Sequence, residues 1–91
     1  MGNTIENRAV VDVVPLSGPV AGPAEGWLVY RVRVDTAYDV AGYPNLLTAD
    51  LPRELDALVP RALADRLGTA APWRVTAALV GPGRIRVETL A

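Results

Sequence analysis

The clearest alternation of apolar and polar positions runs from Trp27 to Val40. Leu28, Tyr30, Val32 and Val34 share one parity; Arg31, Arg33 and Asp35 share the other. Successive side chains of a strand point to opposite faces, so this pattern predicts a strand with one face buried and one in water. Tyr38 and Val40 continue the apolar parity. The same period returns near the C-terminus. Trp73, Val75, Ala77 and Leu79 alternate with Arg74, Thr76 and Ala78, and then Ile85, Val87 and Thr89 alternate with Arg84, Arg86 and Glu88. Gly81-Pro82-Gly83 between them predicts a hairpin turn. A shorter β-branched run from Ala9 to Val14 predicts a first strand that Pro15 ends. The next stretch, residues 15–26, holds Pro15, Gly18, Pro19, Gly22, Pro23 and Gly26. That density of breakers predicts a flexible, exposed loop. Gly42-Tyr43-Pro44-Asn45 predicts a turn.

Between residues 50 and 67 the period changes. Leu51, Leu55, Leu58 and Ala62 keep a three-to-four spacing, joined by Val59, Leu63 and Leu67, as on the apolar stripe of a helix. Asp50 fits an N-cap, Pro52 the first turn and Gly68 a C-terminal stop. Asp50, Glu54 and Asp56 lie early and Arg61 and Arg66 late, the order a helix dipole favours. Pro60 removes a backbone donor and crowds the preceding turn, so this helix is expected to kink or split there.

The expected order is ββαββ. It predicts a two-layer α+β domain: a mostly antiparallel four-stranded sheet with one Pro-kinked helix packed on one face. This order of elements resembles that of ubiquitin-like (β-grasp) domains, without a local motif that would define a family. A chain of 91 residues makes a single domain, and the polar residues 1–8 are expected to fray.

Composition narrows the chemistry. Hydrophobic residues make up 51% of the chain, enough for a core. Cys, His and Lys are all absent. Their absence excludes disulfides and thiolate nucleophiles, the commonest general base at neutral pH, Schiff-base chemistry and Walker-type phosphate binding. No cofactor and no metal are expected. No apolar run approaches the ~20 residues of a membrane helix, so no membrane partner is expected. The N-terminus lacks the charged and apolar regions of a signal peptide, which makes the cytoplasm the expected compartment. The Arg-for-Lys bias with many Ala, Val, Gly and Pro is that of a GC-rich bacterial genome.

Charge supplies the remaining signal. The net charge is −1, yet parity places Arg31, Arg33, Arg74, Arg84 and Arg86 on the sheet face turned away from the helix. Trp27 shares that face, whereas Trp73 has core parity. Most acids are expected elsewhere, before the long strand or on the helix. The plainest reading is a solvated sheet face on which Asp35 and Glu88 pair with arginines. The functional reading is a small non-catalytic protein-interaction module, a homodimer or a subunit of a larger bacterial assembly. Trp27 would anchor the contact and Arg31, Arg33, Arg74, Arg84 and Arg86 would set its specificity. The alternative is a cofactor-free enzyme of the isomerase or cyclase type, with an apolar pocket at a subunit interface. Asp35, Asp39 and Tyr43 would be its acid–base candidates and the 15–26 loop its cover. Nucleic-acid binding ranks third, because the chain is acidic overall and lacks the paired aromatics of base-stacking sheets.

Overall fold

Five strands and one short helix make up the computed structural model, which describes residues 6–68 and 71–91. The elements are β1 (Ala9–Ala21), β2 (Trp27–Asp39), β3 (Arg53–Pro60), α1 (Arg61–Leu67), β4 (Trp73–Gly81) and β5 (Arg84–Leu90). The result is a small α+β fold in which the sheet closes on itself in the order β1-β2-β3-β5-β4, with β4 pairing back onto β1. Neighbours are antiparallel except β3 and β5, which run parallel where Asp56, Ala57 and Leu58 face Arg84, Ile85 and Arg86. Parallel neighbours need a long connection. Here it consists of α1 and β4.

The sheet therefore has five strands, not four, and no open face opposite a helix layer. The extra strand comes from the segment expected to be helical. Residues 53–60 fit both periods: Leu51, Leu55 and Leu58 suit a helix, but Leu55, Ala57 and Val59 suit a strand. The second set is fully buried, with Glu54 exposed between. β3 lies between β2 and β5: it pairs with β2 along its whole length and with β5 from Asp56 to Leu58. That pairing overrides a helical preference worth only tenths of a kcal/mol per residue. Pro60 does divide the segment, as expected. It ends β3, and the seven-residue α1 starts at the next residue.

β1 also departs from expectation. It continues through Pro15 to Ala21, and only residues 22–26 form a loop. Two of its irregular steps fall between Pro15 and Ser17 and between Ser17 and Val20. Prolines are tolerated there because β1 pairs with β4 only from Ala9 to Val13; beyond Val13 its strand partner among the described residues is β2 alone. A further irregularity at Asp12/Val13 shifts parity on β2. Tyr38 is consequently 46% exposed rather than part of the apolar face.

Of the N-terminal residues expected to fray, 1–5 lie outside the described residues. Asn7 is buried, donating from Nδ2 to the Leu79 carbonyl at 3.0 Å and accepting the Leu79 N–H at 2.8 Å. Its amide continues the β1–β4 ladder that starts at Ala9↔Ala77.

The barrel interior is filled by the apolar parity of all five strands, including Val11, Val32, Leu55, Val75 and Ile85. Trp73 is buried, as its parity predicted, and meets Tyr30 edge-to-face with centroids 5.0 Å apart. Among the described residues no helix is long and apolar enough to cross a membrane.

Candidate interaction surfaces

The outer wall of the barrel carries the arginines nominated from sequence, and β3 brings acids among them. Asp56 lies between Arg31 on β2 and Arg84 on β5, Glu54 lies opposite Arg33, and Arg86 lies opposite Leu58. Arg31 Nη1 donates to Asp56 Oδ1 at 3.1 Å, and its Nε lies 3.7 Å from Glu54 Oε1. Arg33 grips Asp35 with two hydrogen bonds of 2.6 and 3.2 Å. Arg86 reaches Glu88 at 3.1 Å, and Arg8 reaches the other oxygen of Glu88 at 2.7 Å. Arg84 makes no ion pair among the described residues. Arg74 stands apart near the start of β4, where it grips Asp12 of β1 at 2.7 and 3.0 Å. Four of the five arginines are thus occupied by this chain's own carboxylates, and the expected separation of charge does not form.

These pairs hold the carboxylates ionised. Hydrogen bonds from Arg74 and then Thr36 push Asp12 down to about 2, against the opposing effect of burial. The Arg33 hydrogen bond lowers Asp35. Burial pushes Glu88 up, but the hydrogen bonds from Arg8 and Arg86 outweigh it and leave the group below the usual carboxylate range. A carboxylate held in this way is a poor proton carrier at neutral pH. Asp35, Asp39 and Tyr43 sit in three separate contacts: Asp35 with Arg33, Asp39 accepting from Asn45 at 3.0 Å, and Tyr43 beneath the Arg8 guanidinium at 4.4 Å. Among the described residues no cluster of carboxylates could hold a metal ion.

Trp27 lies at the start of β2, opposite Pro60, and is half-buried. With Arg61 and the 22–26 loop it lines an open hollow of about 520 Å³. Arg74, Arg84 and Arg86 are not among the residues that line this hollow.

A different surface emerges on the second half of β1. Leu16 is 43% exposed and Val20 61%. At the foot of this arm lies a hollow of about 200 Å³, whose lining includes Pro15, Leu16, Pro19, Tyr30 and Trp73. Trp73 Nε1 is buried without a hydrogen-bond partner among the described residues. No charged residue occurs from Val13 to Ala24. Sequence reasoning passed over this arm because its prolines and glycines read as loop. The signal that would have found it is the charge-free interval combined with Leu16 and Val20, four residues apart.

The chain matches no family model, and no curated protein or solved structure is significantly similar to it.

Proposed function

We propose that the protein is a small non-catalytic interaction module that contacts a protein partner through the outer half of β1. The observation that carries this reading is the exposure of Leu16 and Val20 on an uncharged arm with one strand neighbour. Exposed apolar side chains gathered on one element mark contact surfaces. The arginine wall supports a contact less well. An exposed ion pair contributes about 0–1 kcal/mol, and a partner carboxylate would only exchange one such pair for another. Nucleic acid is disfavoured for the same reason. Five-stranded barrels of the OB type bind oligonucleotides across β2 and β3, but that wall here sets Glu54 and Asp56 beside Arg31.

Quantitative co-purification of the tagged protein from its source cells tests the reading, comparing Val20→Asp with the double variant Arg33→Glu/Arg86→Glu. Recovery of the partner should fall at least ~tenfold with Val20→Asp, the loss of a central contact, and stay near wild type with the arginine variant. The opposite pattern would move the contact to the arginine-bearing strands and overturn the assignment to β1.

A further inference from the structure

We infer that the outer half of β1 is a lid over a small-molecule site, and that its ligand is a neutral, mostly apolar molecule with one hydrogen-bond acceptor for the Trp73 indole N–H. The inference goes beyond the protein contact, since Val20 is not among the residues that line this hollow.

The hollow of about 200 Å³ joins arm residues, among them Pro15, Leu16 and Pro19, to the aromatic pair Tyr30 and Trp73. An apolar cavity of about 150 Å³ accepts benzene, so a six-membered ring fits this volume. None of the described residues that line it is charged. An ionised ligand would therefore lose water without gaining a counter-charge. Trp73 sets the polarity of the ligand. Ser17 and Tyr30 bring hydroxyls, which donate or accept, whereas an indole N–H only donates. Trp73 is 3% exposed, and its Nε1 has no hydrogen-bond partner among the described residues. A buried donor of this kind costs stability until an acceptor reaches it. A ketone or amide carbonyl on an apolar body supplies that acceptor.

Access requires movement, because Nε1 is sealed from water. The arm is the element suited to move. Beyond Val13 its strand partner among the described residues is β2 alone, and two irregular steps interrupt that pairing. Segments held by few neighbours open before the rest of a fold. Gly18 sets how closely the arm shuts. A Cβ there would lie 2.9 Å from the Val29 carbonyl oxygen and 3.2 Å from Tyr30 Cα, and its φ is +103°. Glycine thus lets the backbone of the arm close onto β2 beside Tyr30, and a side chain at this position would hold the arm away.

Titration of isotopically labelled protein with cyclohexanone, followed by nuclear magnetic resonance at the indole N–H signals, tests the site. Trp27→Phe tells the two tryptophans apart. Cyclohexanone should shift the Trp73 signal and slow its hydrogen exchange, and cyclohexanecarboxylate should do neither. Trp73→Phe should weaken cyclohexanone about tenfold more than it weakens methylcyclohexane, the worth of one hydrogen bond. Gly18→Ala should speed exchange at the Trp73 indole and leave that at Trp27 unchanged. Val20→Asp should reduce partner recovery yet keep cyclohexanone binding, so failure of the protein contact and failure of this site are told apart. No shift at Trp73 up to the solubility of cyclohexanone would overturn the site and leave the indole N–H spent on the Tyr30 ring. Equal losses of the ketone and the hydrocarbon in Trp73→Phe would overturn the role of the N–H. Unchanged exchange in a folded Gly18→Ala would overturn the lid.

Discussion

β2 is shared by two regions built on different terms. Along Tyr30 to Val34 it belongs to the barrel wall, between β1 and β3. Near Val29 and Arg31 it also pairs with the outer half of β1, which beyond Val13 has no strand but β2 beside it among the described residues. In the wall the alternation is strict. Val32, Val34, Leu55 and Ala57 are sealed inside, and the outward carboxylates and arginines bind one another. In the arm the alternation is broken by prolines, charge is absent, and Leu16 and Val20 stay in contact with water. Between Tyr30 and Val34 the wall pairs its charges within the chain and keeps its apolar groups inside, although Tyr38 and Leu90 are exposed nearer the strand ends. The arm has no charges to pair and leaves two apolar side chains in water.

The largest predicted effect tests whether the wall stands on β3. Leu55 is fully buried between β2 and β5. Leu55→Ala should cost about 2–5 kcal/mol in urea unfolding, from lost transfer energy and the cavity left behind. A cost near zero would mean that residues 53–60 do not form a wall strand, and the pairing of Arg31 with Glu54 and Asp56 would fail with it.

That strand also marks where sequence reasoning reached its limit. Strands β2, β4 and β5 were legible because their periods were unambiguous, and Trp73 was placed in the core by parity alone. Residues 53–60 satisfied two periods at once, and local propensity favoured the wrong one. Only the pairing of β3 with both β2 and β5 separates the alternatives, and pairing between distant segments is not written in local spacing. The error propagated to the candidate surface. Placing Glu54 and Asp56 on a helix took them away from Arg31; placing them on β3 makes them its partners, whereas the pairing of arginines with Asp35 and Glu88 was already expected from the sequence. Likewise, Pro15 and Pro19 were sound evidence against a central strand, but β1 beyond Val13 is not central.

An intermediate effect comes from the ion pair that ties the base of the arm to β4. Asp12 binds Arg74, Thr36 and Tyr38. Asp12→Asn should cost about 1–2 kcal/mol at neutral pH, the range for a partly exposed charged hydrogen bond. Its folded pKa is depressed to about 2 from 3.8. The native state therefore holds this proton more weakly than the unfolded chain does. The stabilisation is fully present above about pH 4 and is lost as pH falls towards 2. Wild-type melting temperature should drop across that window. Asp12→Asn should begin lower and drop less. Equal slopes would show that Asp12 is not held by Arg74 in solution. The arm offers a contrast, because residues 13–24 contain no titratable side chain.

The smallest effect on intrinsic stability is expected at Val20, and it separates the two regions most sharply. Val20 is mostly exposed in the single chain, so Val20→Ser should change the unfolding free energy of dilute protein by no more than about 0.5 kcal/mol. A partner that binds only the folded chain raises its melting temperature by mass action. Adding the co-purified partner should therefore raise the melting temperature of wild type and leave that of Val20→Ser unchanged, whereas Leu55→Ala should lower the starting value and keep the rise. No rise for wild type would place Val20 among the isolated exposed apolar residues that need no explanation, and the contrast between wall and arm would then describe only how the barrel is built.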